Sequence, residues 1–226
     1  EMTVKAGQKC TAIRRILVPE HLTDAVVSEL KSKLASVKLG NPAVEGVKMG
    51  PLASNGQVAE VKSKVAELLK SCEVAYGNIN DFEVTGADKA TGAFMPTMLL
   101  HCKDGIKNNG PHDIEAFGPV STIMGYKNTD DAIELARKGK GSLVGSVFSA
   151  DNNFAREIVM GTAAWHGRLM VVNEASAAES TGHGSPLGHL VHGGPGRAGG
   201  GEEMGGIRGV KHYMQRTAIQ GSPTTL

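Results

Sequence analysis

The chain has 226 residues, 40% hydrophobic and 21% charged, with 24 Lys and Arg against 23 Asp and Glu. That apolar share suits a packed core and excludes a disordered tail, and a formal charge of +1 leaves no electrostatic footprint for nucleic acid or an anionic membrane. No apolar run reaches the roughly 18–20 residues of a bilayer span, Glu1-Met2-Thr3-Val4-Lys5 carries no signal-like apolar segment, and three cysteines argue for a reducing, cytoplasmic setting.

Ile13 to Val18 is an apolar, β-branched run ended by Pro19, which predicts a strand. Leu22, Val26, Leu30, Leu34 and Val37 recur every three or four residues and predict an amphipathic helix stopped by Gly40. Val58, Val61, Val65 and Leu68 repeat that spacing after Ser54-Asn55, an N-cap pair. Further strands are expected at Val74–Tyr76, Met98–Leu100, Val120–Met124, Leu143–Phe148 and Leu169–Val172. Helices are expected from Asn128-Thr129-Asp130-Asp131 to about Lys138, and from about Asn152 to Ala164.

Near-continuous apolar strands separated by helices of 10–15 residues predict an α/β fold. The expected form is three-layered, with a largely parallel sheet and helices on both faces. No internal boundary shows: residues 1–206 read as one domain and 207–226 as a C-terminal tail. The 30 glycines concentrate between Gly182 and Gly209, in a stretch too poor in side chains to fill a core. A loop of that length is expected to be functional or a linker.

Cys10 is the first chemical candidate. Lys5, Lys9, Arg14 and Arg15 surround it in sequence, and nearby cations raise the thiolate fraction that nucleophilic catalysis needs. An ordinary small buried residue is the alternative. Cys72 follows a helix and Cys102 ends a strand, so both read as structural. Gly194-Pro195-Gly196-Arg197-Ala198-Gly199 fits the G-x-G-x-x-G pattern, but a loop rather than a strand precedes it, and it is rejected as a dinucleotide fingerprint. His183, His189 and His192 invite a metal reading, yet no cysteine or carboxylate pattern accompanies them, and no metal is expected.

The motifs taken together carry a resemblance. Gly7-Gln8-Lys9-Cys10-Thr11 is similar to the active-site cysteine segment of the aldehyde dehydrogenase superfamily. Leu39-Gly40-Asn41-Pro42, Gly50-Pro51-Leu52, Gly92 to Thr97 and Glu115-Ala116-Phe117-Gly118-Pro119-Val120 follow in that family's order. Val147-Phe148, Val172-Asn173, Gly193-Gly194 and Gly201 to Gly205 complete it, so the resemblance spans nearly the whole chain. It covers the thiol-bearing catalytic portion and tail; the family's dinucleotide-binding domain precedes the cysteine and is expected to be absent here. The segments Glu179–Leu187, Leu190–Gly201 and Val210–Pro223 resemble the branch acting on CoA-thioester semialdehydes of phenylacetate or benzoate breakdown. Gly201-Glu202-Glu203 departs from the family's common Gly-Arg-Glu, so no role is carried onto Glu202.

The resemblance implies NAD or NADP as cofactor, an aldehyde substrate, and a homo-oligomer, dimer or tetramer, with the tail as its oligomerisation segment. Cys10 would attack the aldehyde carbon and carry a thiohemiacetal, then a thioester. Glu115 would accept hydrogen bonds from the nicotinamide-side ribose, although from the residues alone a solvent-facing carboxylate is preferred. Phe117 would pack near the nicotinamide. Asn173 matches a family asparagine, with a turn-forming role as the equal alternative. His183 and His192 would shape the loop or meet a CoA substrate. Two other readings stay open: an acylating enzyme in which CoA resolves the thioester, and a non-catalytic scaffold relative. The general-base glutamate and second oxyanion donor lie upstream in the family, so this chain by itself is expected to be inactive.

Overall fold

Strand β3 (Met98–Cys102) sets the plan of the first half of the chain. Successive strand side chains point to opposite faces. Met98 and Leu100 accordingly join one apolar cluster, and Leu99 joins another. Helix α1 (Thr23–Ala35) covers the Leu99 face with Val26, Val27, Leu30 and Leu34. Helix α2 (Asn55–Leu68) covers the other with Val61, Val65 and Leu68. This computed structural model describes residues 1–184, 193–199, 210–211 and 213–225, which form two compact units, Glu1–Lys127 and Asn128–Leu226.

In the first unit the strand order is β1-β4-β3-β2, with β1 at Arg15–Pro19, β2 at Glu73–Tyr76 and β4 at Val120–Tyr126. A short helix, α3 (Gly110–Asp113), lies between β3 and β4. β1 and β3 both run parallel to β4, whereas β2 is an antiparallel edge strand. Pro19, which has no amide hydrogen, sits at the end of the other edge strand, where a missing donor is tolerated.

The second unit contains α4 (Thr129–Arg137), β5 (Ser142–Phe148), α5 (Asn152–Thr162), β6 (His166–Val172), α6 (Glu174–Ala177) and β7 (Ala218–Gln220). Its sheet, in the order β5-β6-β7, is parallel throughout. Ala155 and Val159 of α5 pack on Val147, Leu169 and Val171.

The α/β class and the parallel character match the sequence reading. The strands are divided between two sheets, however, where one was expected. Local periodicity marks a strand but carries no information about its partner. The caps agree more closely: Ser54 Oγ accepts from the Gln57 amide at 3.2 Å, and Asn128 Oδ1 from that of Asp131 at 2.9 Å. Helix α1 ends at Ala35 rather than near Gly40. Gly40 meets a different demand, since a Cβ there would lie 2.1 Å from the Thr85 carbonyl oxygen. Strand β7 falls in the segment read as a tail, and three residues are too few to show an alternating pattern.

Candidate functional site

Gly7 locates the site. A Cβ on it would fall 2.1 Å from the Gly118 carbonyl oxygen and 2.7 Å from the Pro119 nitrogen. The backbone leading to Cys10 therefore rests directly on the Phe117-Gly118-Pro119 turn, more than 100 residues away in sequence. Gly7 also has φ of +72°, after Lys5 and Ala6 at 51° and 52°. Three successive left-handed residues make a tight turn that is costly for residues other than glycine. Gly118 is confined from its other side, where a Cβ would meet Val61 Cγ2 of α2 at 2.8 Å. The two motifs are thus wedged between each other and the core.

A second tie joins the same segments. Arg14 donates through Nη1 to the Ile114 carbonyl and through Nη2 to that of His112, both at 3.1 Å. Arg15 donates to Nδ1 of buried His112 at 3.0 Å, and His112 Nε2–H donates to the Gly105 carbonyl at 2.8 Å. This chain of bonds fixes the backbone immediately before Glu115. The two guanidinium groups serve carbonyls and an imidazole at the sheet end, and Lys9 pairs with Glu1 at 3.2 Å.

On this floor the Cys10 thiol is exposed, as is Glu115. Phe117 is 44% exposed and held at φ of 50°. A bulky residue in that region is a conformational outlier, and such outliers cluster where function demands them. A thiol, a carboxylate and an aromatic ring are thus exposed on two segments that the Gly7–Gly118 contact joins.

Beside the thiol segment lies an open cavity of about 420 Å³ lined by Lys5, Ala6, Gln8, Pro42, Gly50, Pro51 and Ala53. Gln8 organises its wall: its Oε1 accepts from the Ala53 amide at 2.7 Å, and its Nε2 donates to Gln57 Oε1 at 3.1 Å. Sequence reasoning did not single out Gln8 as functional. The available signal was its place inside the cysteine motif, but nothing in its type announced a partner 49 residues away.

Asn173 and His183 belong to the second unit. Asn173 is the N-cap of α6, with Oδ1 accepting from the Ser176 amide at 3.1 Å and Ser176 Oγ accepting from the Asn173 amide at 3.1 Å. Its Nδ2 donates to Asn152 Oδ1 and Thr225 Oγ1. This is the turn-forming role. His183 Nδ1 lies 2.7 Å from Ser146 Oγ, and its carbonyl accepts from buried Arg168. His189, His192, Glu202 and Glu203 lie outside the described residues. Gly196–Ala198 forms a single 3-10 turn. No helix among the described residues is long and apolar enough to cross a membrane.

The aldehyde dehydrogenase family matches residues 1–219. The chain belongs to this family. It is 49% identical over 195 residues to 3,4-dehydroadipyl-CoA semialdehyde dehydrogenase of Aromatoleum evansii, covering 86% of this chain and 38% of that protein. It is 53% identical over 179 residues to Protein MaoC of Klebsiella aerogenes, covering 79% of this chain and 52% of that one. The chain thus spans 38% and 52% of the length of these two curated relatives. Among solved structures, an aldehyde dehydrogenase shares the fold with a TM-score of 0.75 and 25% identity, over 94% of this chain and 40% of its own. That protein is betaine aldehyde dehydrogenase of Staphylococcus aureus in complex with NAD+. Succinic semialdehyde dehydrogenase of Streptococcus pyogenes, in complex with NADP+, has a TM-score of 0.72 at 23% identity over 88% of this chain and 41% of its own.

Proposed function

We propose that this aldehyde dehydrogenase chain carries the nucleophile and part of the cofactor contact for NAD(P)-dependent oxidation of a CoA-linked semialdehyde of aromatic catabolism. The observation that carries the reading is the seating of the Cys10 segment on the Phe117-Gly118-Pro119 turn through Gly7.

The residues fit a nicotinamide nucleotide. Glu115 and Phe117 face solvent on a braced turn, although the core needs neither. Glu115 would accept hydrogen bonds from ribose hydroxyls, which suits an acceptor-only carboxylate, and Phe117 would supply an apolar face to the ring. When bound, NAD or NADP supplies a hydride acceptor. The chain's own work is to hold and polarise the aldehyde. Cys10, as thiolate, attacks the carbonyl carbon, and the Cys10 backbone N–H donates to the resulting oxyanion. One such donor in a dry site is worth roughly 10²–10³ in rate. Cys10 then retains the acyl group as a thioester until water releases the acid. The reading includes a cytoplasmic homo-oligomer, as the family resemblance implies.

The CoA-semialdehyde relative and the glycine-rich segment from Glu179 to Gly201 support this substrate class. Binding energy from a remote CoA moiety can position the carbonyl at the thiol. In the complete protein, a CoA-linked semialdehyde is expected to exceed a free aldehyde of equal chain length in kcat/KM by roughly 10²-fold or more. Steady-state kinetics on the pair tests this, and equal specificity constants would contradict it.

A further inference from the structure

Cys72 and Cys102 read separately as structural residues, but the sheet makes them a pair. The antiparallel register of β2 and β3 sets Glu73 opposite His101 and Val74 opposite Leu100. Continued by one residue, it sets Cys72 opposite Cys102. The neighbouring pair occupies the other face, where His101 Nδ1 lies 3.4 Å from Glu73 Oε1 and Lys103 Nζ lies 2.9 Å from Glu73 Oε2. Directly opposed residues hold their Cβ atoms about 4.5–5.5 Å apart, a spacing that small backbone adjustments bring to the roughly 3.5–4.5 Å of a disulfide.

The two thiols perturb one another: neighbouring Cys72, with a backbone hydrogen bond at Asp104, holds the Cys102 thiol down to about 7. The same interaction, together with burial, pushes Cys72 up, and Ser71 Oγ lies 3.8 Å from its sulfur. Cys102 is wholly buried, whereas Cys72 is partly exposed beside an edge strand. A reagent therefore reaches the pair from the Cys72 side.

We propose that Cys72 and Cys102 are a cross-strand oxidation site that closes to an intramolecular disulfide when a low-molecular-weight disulfide is the oxidant. Cys102 loses its proton to solvent first, the Cys72 proton passes to the Cys102 thiolate, and the resulting thiolate at the more accessible Cys72 attacks one sulfur of the small disulfide. The S–S bond of that reagent breaks and one small thiolate leaves. Cys102, deprotonated again, then attacks the Cys72 sulfur of the mixed disulfide and displaces the second small thiolate. Two protein thiols are oxidised, one small disulfide is reduced to two thiols, and the two protons lost by the protein are taken up by the products. The closed bridge ties edge strand β2 covalently to β3. Cys10 takes no part, so the site is independent of the proposed catalytic reading.

The test equilibrates the complete protein with oxidised glutathione, alkylates the remaining thiols and maps peptides without reduction. The expected product links the Cys72 peptide to the Cys102 peptide and reverts on adding excess reduced glutathione. It persists in Cys10→Ser and disappears in Cys72→Ser, which keeps the buried Cys102 and so the core. Cys72 and Cys102 both recovered alkylated, both recovered as separate glutathione adducts, or Cys72 found linked to Cys10, would each overturn the proposal.

Discussion

Replacing Cys10 by alanine is expected to lower aldehyde oxidation by the complete protein roughly 10⁴-fold or more, because the proposed reaction carries its acyl intermediate on this thiol. The melting temperature should stay near that of the parent. The thiol is exposed, and an exposed side chain contributes little packing. That split is the informative part, since a residue of the core would lower stability and activity together. Kinetics and a thermal melt on the same preparation check it, and activity within tenfold of the parent would remove Cys10 from the reaction.

The second large effect is expected at Gly7. Alanine there must adopt φ of +72° and place its Cβ 2.1 Å from the Gly118 carbonyl oxygen. The left-handed conformation costs about 1–2 kcal/mol and the clash about 1–3 kcal/mol, because the opposing atoms are backbone that cannot rotate away. A loss of about 2–5 kcal/mol is therefore expected from urea unfolding, with a lower kcat as the Phe117 turn shifts from the thiol segment. Gly182 provides the comparison. It is also left-handed, at φ of +84°, but among the described residues nothing lies within 4 Å of the point a Cβ would occupy, so alanine there should cost only about 1–2 kcal/mol. Equal, small losses at both positions would show that Gly7 is not a seat for the turn.

Much of the fold was legible because its signals are local. Apolar runs located β1 to β6, and Ser54 and Asn128 cap their helices because a side-chain oxygen needs only the next few amides. Pairing is not local. Nothing in the spacing separates β4 from β5 into different sheets, and a three-residue β7 has no pattern to read. The same limit governs the candidate site. Cys10, Glu115 and Phe117 were nominated by motif resemblance, whereas the contact that joins their segments is between two glycines and leaves no side-chain signature. Residue type at Arg14 and Arg15 gave no sign that their head groups brace the backbone before Glu115, because those partners lie about 100 residues away. For Asn173 the residues left two roles open, and its hydrogen bonds supply the capping one.

The central claim is that Cys10 bonds covalently to the aldehyde carbon. The most direct measurement is an early acid quench of the complete protein turning over a CoA-linked semialdehyde with NAD or NADP, followed by peptide mass mapping. The acyl mass should appear on the peptide containing Cys10, disappear with hydroxylamine, and be absent from Cys10→Ala. An acyl group on Cys72 or Cys102, or its persistence in Cys10→Ala, would contradict the account.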